Sequence, residues 1–432
     1  MRKLLAVLAC ALVLLGTVTI FASGGPEPAQ ATPAPDGSVY YLNFKPEQSA
    51  QWNALAQRYT DETGVRVTVV TAASGTYEDA LRSEMEKADP PTLFQLNGPV
   101  GLRNWRSACL DLRDTALYRH LKSDEFALIE GHEVLGVAYA IETYGLIVNR
   151  SLLAKAGYTP EEITSFDKLK AVAEDIQSRR DELGVLGAFA SSGMDASSDW
   201  RFKTHLANLP IAFEYRDRGL ASADRLEGTY LDNYRRLWDL YLNNATCPPA
   251  MIGARTGEDA ASEFALGEAV FYQNGTWAYH DVIAEGLQDD ELSMIPLYMG
   301  LPGEENQGLC TGSETYWCIN KNADPANIEA TKAFVEWLIT SDEGKRALSE
   351  EMGFVAPFDT FENETPQNAL QRAAADDLAS GREQVKWAFT TIPSENWKNN
   401  FGAALLEYAQ GTGTWEQVQS AFVDGWAVEA GK

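Results

Sequence analysis

The sequence VYYLNF at residues 39–44 begins the alternation that decides the fold. A segment of helical spacing follows it and ends at Gly64, and the run VRVTV at residues 65–69 then alternates as a strand does. Residues 76–87 return to helical spacing before the strand-like run TLFQL at residues 92–96. Strand, helix, strand, helix, strand is the order of a parallel sheet covered by helices, so the sequence predicts an α/β fold.

Polar side chains stand where these three predicted strands end. In a parallel sheet the ligand binds beyond the carboxyl ends of the strands, where the connecting loops converge. Amide, ammonium, carboxylate and hydroxyl groups occupy these positions, and all of them can hydrogen-bond a polar ligand. The residues predicted to line such a cleft are Asn43, Lys45, Glu47, Ser74 and Asn97.

A second unit with a similar alternation follows the first. Residues 138–148 are another β-prone run, residues 166–176 have the spacing of an amphipathic helix, and residues 269–272 and 292–299 are short strand-like runs. The chain has 432 residues, which is more than one hydrophobic core usually serves. We therefore predict two lobes.

Aromatic residues stand beside polar ones in several predicted loops. Sugars suit this pairing, because their C–H faces stack on flat rings while their hydroxyls hydrogen-bond to carboxylates, amides and guanidinium groups. A single aromatic residue is more often part of a core, but the repeated pairing favours a sugar site. The residues in question are Glu142 with Tyr144, Asp199 and Arg201 around Trp200, Asn274 with Trp277, and Glu314 with Tyr316 and Trp317.

The composition argues against several classes of function. The formal net charge is −27, which disfavours binding to nucleic acid or to anionic lipid, since both require basic surfaces. No nucleophile elbow, phosphate-binding loop or dinucleotide-binding motif occurs, and the four histidines lack metal-ligand spacing. We therefore predict a binding protein with no catalytic residue, cofactor or metal. A secreted glycan-active hydrolase stays open as the alternative, because 62 acidic residues always contain some suitable pair of carboxylates.

The N-terminus has the pattern of a signal peptide. Arg2 and Lys3 precede an apolar run that reaches residue 21, and small residues follow it. Residues 1–22 are therefore predicted to direct export, with an uncleaved membrane anchor as the alternative. Lipid attachment at Cys10 is disfavoured, because it would leave most of the apolar run on the mature chain. Residues 23–37 are rich in Pro and Ala and are predicted to be a disordered tether.

The remaining cysteines permit disulfides in an exported chain. They are Cys109, Cys247, Cys310 and Cys318. Cys310 and Cys318 bracket a short segment and are the more plausible pair. Buried free thiols are an equally plausible alternative.

Five motifs together resemble the family 1 extracellular solute-binding proteins, the carbohydrate-binding components of ABC transporters, which include maltose-binding and raffinose-binding proteins. The resemblance covers essentially all of the chain after the tether. The motifs are YLNFKPEQ at 41–48, AYAIETYGLIVN at 138–149, LLAKAGY at 152–158, FYQNGTW at 271–277 and GSETYW at 312–317.

The resemblance implies a periplasmic-binding-protein-like fold, in which two α/β lobes are joined by a multi-segment hinge around a ligand cleft. On this basis the first lobe is predicted at residues 38–143 and 292–352, and the second at residues 144–291 and 353–432. By position in the family, the implied cleft residues are Asn43, Lys45, Glu47, Ser74, Asn97, Glu142, Tyr144, Asn274, Trp277, Glu314 and Tyr316. The assignment of Asp199, Trp200 and Arg201 rests on the pairing of aromatic and polar residues.

The resemblance also implies a function. It predicts an exported monomer, in the periplasm or at the cell surface, that captures a mono- or oligosaccharide and delivers it to the permease subunits of an ABC importer. Some relatives carry a lipid-attachment cysteine at the end of the leader, where this chain has Ala22 and Ser23. This difference favours a protein that is free or protein-anchored. A sensor module of the same fold, which presents its ligand to a receptor, stays open as an alternative.

Overall fold

The computed structural model describes residues 37–284, 286–362 and 365–431. The predicted signal peptide at residues 1–22, Cys10 within it, and residues 23–36 of the predicted tether lie outside these described residues. No helix in the described part of the chain is both long enough and apolar enough to cross a membrane.

The strands of the described residues form two six-stranded sheets. The first sheet has the order β2-β1-β3-β11-β5-β4, and the second has the order β12-β10-β6-β8-β7, with β9 also paired to β6. The strands are β1 (Ser38–Asn43), β2 (Arg66–Thr71), β3 (Leu93–Asn97), β4 (Ala127–Glu130), β5 (Glu133–Ala138), β6 (Glu142–Asn149), β7 (Gly187–Phe189), β8 (Ala269–Gly275), β9 (Leu292–Ile295), β10 (Gln307–Gly312), β11 (Thr315–Ile319) and β12 (Glu383–Lys386).

The first sheet is parallel only among β1, β2 and β3, the three strands predicted from the alternation of strands and helices at residues 39–96. β1 lies parallel to β2 and to β3, and the intervening helices are those predicted from the spacing of apolar residues. β11 then pairs antiparallel with both β3 and β5, and β4 pairs antiparallel with β5. The sheet is therefore mixed, because a segment from late in the chain is inserted at its centre.

Helices cover both sheets. In the first helix, α1 (Ser49–Thr63), the buried residues are Trp52, Leu55, Ala56 and Tyr59. Gly64 ends this helix in the left-handed conformation with φ 78°. The helices are α1 (Ser49–Thr63), α2 (Tyr77–Met85), α3 (Gly98–Trp105), α4 (Ala116–Arg119), α5 (Arg150–Ala156), α6 (Phe166–Ser178), α7 (Arg180–Leu183), α8 (Asn208–Arg218), α9 (Leu231–Asn244), α10 (Gly257–Ala265), α11 (Tyr279–Ala284), α12 (Pro325–Thr340), α13 (Asp342–Arg346), α14 (Ala369–Ala379), α15 (Glu395–Ala409) and α16 (Trp415–Ala430).

Each sheet has its own hydrophobic core. Two apolar clusters pack on the two faces of the first sheet, and two others pack on the second sheet. At the centre of the first sheet, the ring of Tyr139 stacks on the indole of Trp317 with 4.5 Å between centroids. We call each sheet, together with the helices that pack on it, a lobe.

Among the described residues, three places can be located where the chain passes from one lobe to the other. Residues 139–141 join β5 to β6, residues 313–314 join β10 to β11, and the third passage lies between Phe361, in a first-lobe core, and Ala369, in a second-lobe core. We call these the crossing segments.

These positions differ from the predicted lobe boundaries in two respects. β9 and β10, which the predicted boundary at residue 292 assigns to the first lobe, both pair with β6 in the second sheet. Phe354 and Phe361, assigned to the second lobe, pack in a first-lobe core. The reason is that long-range pairing decides which sheet a short strand joins, and its own residues do not encode that partner.

The Cys310–Cys318 disulfide considered from the sequence does not form. Cys310 lies in β10 of the second sheet and Cys318 in β11 of the first, so the short segment between them is a crossing segment. All four described cysteines are buried free thiols. Burial, and then the neighbouring thiol of Cys109, raise the pKa of Cys318 well above its usual value.

Gly145 in β6 provides a test of the packing in the second sheet. A Cβ at this position would lie 2.4 Å from the carbonyl oxygen of Ile295 and 2.6 Å from Leu309. We expect Gly145→Ala to lower the free energy of unfolding by at least about 2 kcal/mol, because backbone must move to admit the methyl group. Urea unfolding followed by circular dichroism measures this change.

The matched control is Gly425→Ala in α16. There a Cβ would make ordinary contact with Trp397 at 3.5 Å, and alanine favours a helix over glycine. This control should be neutral or stabilising. Equal stability of the two variants would contradict the tight packing described for β6.

Candidate functional site

A cleft lies between the two lobes at the carboxyl ends of β1, β2 and β3. Its empty volume is about 1070 Å³ including space open to solvent. Both lobes and two crossing segments contribute to its walls. The lining residues are Phe44, Lys45, Pro46, Glu47, Ala73, Ser74, Gly75, Tyr77, Glu78 and Asn97 from the first lobe, Ala196, Asp199, Trp200, Lys203, Thr204, His205, Trp277, Phe389, Glu395 and Lys398 from the second, and Glu142 and Glu314 beside the crossings.

The Lys45 ammonium group lies at the base of the cleft. The side chain of Asn43 fixes the turn after β1, because its amide donates to the carbonyl of Lys45 at 2.7 Å and its oxygen accepts from the Lys45 N–H at 3.1 Å. The Lys45 ammonium then donates to Glu142 Oε1 at 2.6 Å and lies 3.6 Å from Glu47 Oε1. Burial disfavours its charge, but the two carboxylates outweigh burial and raise the pKa of Lys45 to about 12. Lys45 is therefore a fixed positive charge.

Aromatic rings form one side of the cleft, which we call the aromatic wall: Trp200, His205, Trp277 and Phe389. The centroid of Trp277 lies 6.1 Å from that of Trp200 and 5.6 Å from that of His205. Burial lowers the pKa of His205 to about 3, so this ring is neutral at ordinary pH. The wall thus presents flat, uncharged surfaces to the cleft.

Gly275 explains why the Trp277 indole faces the cleft. Gly275 ends β8, and a Cβ there would lie only 2.2 Å from the indole ring of Trp277. The missing side chain therefore lets the indole fold back over the end of the strand. The GTW sequence at residues 275–277 places a ring at this point for a steric reason.

Two further ion pairs line the rim of the cleft. Lys203 lies 2.7 Å from Asp199, one helical turn away, and Lys398 lies 2.7 Å from Glu395. Burial raises the pKa of Asp199, and Lys203 opposes this effect. Both pairs place hydrogen-bonding groups opposite the first lobe.

The Glu314 carboxyl group is the most perturbed acid in the cleft. Burial raises its pKa to about 7, while Lys398 and Lys45 lower the pKa and Glu142 raises it further. At neutral pH this carboxyl is therefore close to half protonated, and it can donate a hydrogen bond as well as accept one.

Nine of the fourteen predicted site residues line the cleft. Seven of them carry polar or charged groups that reach it from a strand end, a loop or a helix, and two are tryptophans of the aromatic wall. Their role in binding stays a prediction. They are Lys45, Glu47, Ser74, Asn97, Glu142, Asp199, Trp200, Trp277 and Glu314.

The other five predicted residues do not line the cleft. Tyr316 and Tyr144 point into cores, and the Tyr144 hydroxyl donates to the carbonyl of His205 at 2.8 Å, behind the wall. Asn274 bonds to Tyr272 and to the N–H of Gly275. Arg201 is 1% exposed and bonds to Ser191 and Ser198. Asn43 holds the Lys45 turn, as described above. Trp317, considered with them, is core. These residues support the site from within.

Several residues that line the cleft are not among those predicted from the sequence. His205 and Lys203 follow Trp200 at helical spacing in the π-helical turn Arg201–Leu206, which is a signal that could have found them. Phe389, Glu395 and Lys398 lie far beyond the last predicted site residue, Tyr316, and no local pattern in the sequence indicates them. The missed residues are Phe44, Tyr77, Glu78, Lys203, Thr204, His205, Phe389, Glu395 and Lys398.

The lobes touch at both rims of the cleft. On one side the Ser74 hydroxyl donates to the carbonyl of Ser197 at 3.4 Å, and a Cβ on Gly75 would lie 2.4 Å from the carbonyl oxygen of Ala196. On the other side Arg103 donates to the carbonyl of Pro393 at 3.4 Å. The cleft is therefore in a closed arrangement. Within residues 37–284, 286–362 and 365–431, no cluster of three or more His, Cys, Asp or Glu residues could hold a metal ion.

Comparison with known proteins places the chain among binding proteins. Residues 54–380 match the family profile of the bacterial extracellular solute-binding proteins. No curated protein matches the sequence significantly.

Solved structures share the fold at low sequence identity. A chitin oligosaccharide binding protein has a TM-score of 0.75 at 17% identity, over 91% of this chain and 99% of that protein. The solute-binding protein RafE in complex with raffinose has a TM-score of 0.71 at 16% identity, over 90% and 99%. The GacH receptor of Streptomyces glaucescens, known unliganded and with acarbose, has a TM-score of 0.69 at 16% identity, over 92% and 99%. At these identities the likeness establishes the fold alone.

The raised pKa of Glu314 predicts a specific pH dependence of stability. An ordinary glutamate has a pKa of 4.5, whereas folded Glu314 has a pKa of about 7. Between these values the unfolded chain releases a proton that the folded chain keeps, so stability falls as pH rises and the full penalty is present above about pH 7. Glu314→Gln has no charge to bury and avoids this penalty.

The melting temperature of Glu314→Gln relative to wild type should therefore increase from about pH 5 to about pH 8. Thermal unfolding of ligand-free protein measures it. Glu336→Gln, an exposed position on α12, is the control and should show no such trend. A pH-independent difference between Glu314→Gln and wild type would contradict the perturbed acid.

Proposed function

This chain belongs to the bacterial extracellular solute-binding proteins, and from that premise we propose that it captures a sugar outside the cytoplasm and delivers it to the permease of an ABC importer. The observation that carries the proposal is the aromatic wall, which faces a row of charged and polar side chains across an interlobe cleft. The family consists of binding proteins, so the cleft serves capture rather than catalysis.

The two sides of the cleft match the two surfaces of a sugar. A pyranose ring can lay its C–H face on Trp277 or Trp200, and such stacking removes apolar surface from water. Its hydroxyls then meet acceptors and donors on the opposite side, among them Glu47, Asn97 and Glu142. Such hydrogen bonds contribute only about 0.5–1.5 kcal/mol each, so several are needed for useful affinity.

The proposal also draws on the similar structures. The ligands of these proteins are a chitin oligosaccharide, raffinose and acarbose, all of which are oligosaccharides or their analogues. We propose a mono- or oligosaccharide for this chain, with Lys45, Glu47, Ser74, Asn97, Glu142, Asp199, Trp200, Trp277 and Glu314 as its contacts.

The crossing segments supply a hinge for capture. The chain passes between the lobes at residues 139–141, at 313–314 and once between Phe361 and Ala369. Rotation about the segments at residues 139–141 and 313–314 would open the cleft and would leave both cores intact, as in hinge closure around a ligand. We propose that the closed arrangement is the one the permease recognises.

The proposed setting follows from the same family. We propose a monomer that works in the periplasm or at the cell surface after export by residues 1–22. A sensor module of the same fold would bind the same ligands, but its gene would lack neighbouring permease genes.

Removing the Trp277 indole tests the sugar proposal. Trp277→Ala should weaken binding of a sugar at least about tenfold, because the stacking surface is lost and water is no longer excluded from that side of the cleft. Titration calorimetry of the mature chain against mono- and oligosaccharides gives the affinity, and chromatography of the ligand afterwards should show no cleavage.

Two further variants sharpen this test. Gly275→Ala keeps the indole but displaces it, and should weaken binding in the same direction. Trp337→Ala removes an equally part-buried indole from the outer face of the first lobe, beside Glu62, and should leave affinity unchanged. Wild-type protein that binds no carbohydrate would overturn the proposal, and unchanged affinity in Trp277→Ala would exclude the aromatic wall as the platform.

A further inference from the structure

Negative charge exceeds positive charge among the residues that line the cleft. Apart from the Asp199–Lys203 pair, whose two charges cancel, five carboxyl groups and two ammonium groups line it. The carboxyls belong to Glu47, Glu78, Glu142, Glu314 and Glu395, and the ammonium groups belong to Lys45 and Lys398.

Four of these carboxyls have a polar partner within the protein. Glu142 accepts from Lys45 at 2.6 Å, and Glu395 accepts from Lys398 at 2.7 Å. Glu78 accepts from the indole N–H of Trp105 at 3.1 Å. Glu47 shares Lys45 at 3.6 Å.

The Glu314 carboxyl has no such partner. Among the described residues it makes no hydrogen bond and no ion pair, although it is partly buried and lines the cleft. The charged groups around it are Lys398 and Lys45, which favour its ionised form, and Glu142 and Glu395, which oppose it. Including Glu314 itself, this group of five carries one more negative than positive charge when every member is ionised.

The aromatic wall favours the same kind of ligand. The faces of indole rings carry partial negative charge and attract cations within about 6 Å. Lys45 already shows the effect, with its ammonium nitrogen 5.9 Å from the centroid of Trp277. A second cation that entered the cleft would find an unpaired carboxyl and ring faces together.

We propose that the sugar this protein captures carries a free, protonated amino group, and that Glu314 receives this ammonium group. The inference rests on the proposed sugar-binding function and narrows its ligand class. A neutral sugar would leave the ionised form of Glu314 without a charged partner inside a closed cleft, so the carboxyl would have to stay unpaired or keep its proton. An acidic sugar would add to the excess.

The test compares ligands that differ only in the charge of the amine. Titration calorimetry at about pH 7 would measure the binding of chitosan oligosaccharides, whose amines are free, and of chitin oligosaccharides of the same length, whose amines are acetylated. Cello-oligosaccharides serve as neutral ligands without nitrogen, and spermidine serves as a cation without a sugar. We expect the free amine to bind at least about tenfold more tightly than either matched neutral oligosaccharide, as a charge-assisted hydrogen bond is roughly twice as strong as a neutral one.

Glu314→Gln should abolish this preference, so that the free amine and the neutral oligosaccharides of the same length bind with similar affinity, because glutamine fills the same space without the charge. Glu336→Gln on the outer helix α12 should keep the preference. Melting temperatures of the variants establish that each is folded.

Each outcome decides between the two proposals. Neutral and acetylated oligosaccharides that bind as tightly as the free amine would overturn the inference and leave sugar capture standing. A preference for the amine that survives Glu314→Gln would overturn the role of Glu314. Binding of no oligosaccharide, or of spermidine alone, would overturn sugar capture itself.

Discussion

The buried ion pair between Lys45 and Glu142 is the constraint on which the site depends. Lys45 extends from the end of β1 in the first sheet, and Glu142 begins β6 in the second, directly after a crossing segment. Both residues are almost fully buried, so neither charge can be left alone, and removal of one partner from such a pair typically costs about 3–5 kcal/mol. The pair therefore fixes the spacing of the two lobes at the base of the cleft and leaves their outer rims free to move.

The remaining features of the cleft are arranged around this pair. The Lys45 ammonium lies between its carboxylates and the face of Trp277, so the pair also orients the aromatic wall. Glu314 enters from the neighbouring crossing segment and experiences both charges of the pair. Because these groups stand on crossing segments and strand ends rather than on long loops, their geometry is set by the two sheets.

The sequence predicts the parts of this arrangement that depend on local order. Residues after β1, β2 and β3 reach the cleft because the carboxyl ends of parallel strands lie at one edge of a sheet. The prediction of Tyr144 and Tyr316 is wrong for a local reason: they lie two residues beyond Glu142 and Glu314, where β6 and β11 have already entered the cores. The partners of β9, β10 and β11 depend on contacts far apart in sequence, and so do Glu395 and Lys398, which arrive from α15. No local pattern contains that information. Cys310 and Cys318 are an example, because they are close in sequence but belong to different sheets.

The rims of the cleft show how capture can be reversible. The hydrogen bonds between the rims among the described residues are long: one hydroxyl and one guanidinium each donate to a carbonyl at 3.4 Å, with glycine backbone against backbone beside the first. Such contacts contribute little free energy to closure. In an open cleft the carboxylates are hydrated again, and this gain in solvation opposes closure. A ligand shifts the balance only through interactions that it makes better with the closed form. A ligand that bridges the aromatic wall and the first-lobe carboxyls does so, since it touches both lobes at once and replaces the water that unpaired Glu314 would otherwise retain. On the proposal that Glu314 receives an ammonium group, its unpaired carboxyl is a source of ligand-dependent closure, because the ionised carboxyl disfavours the closed form until the ligand compensates it.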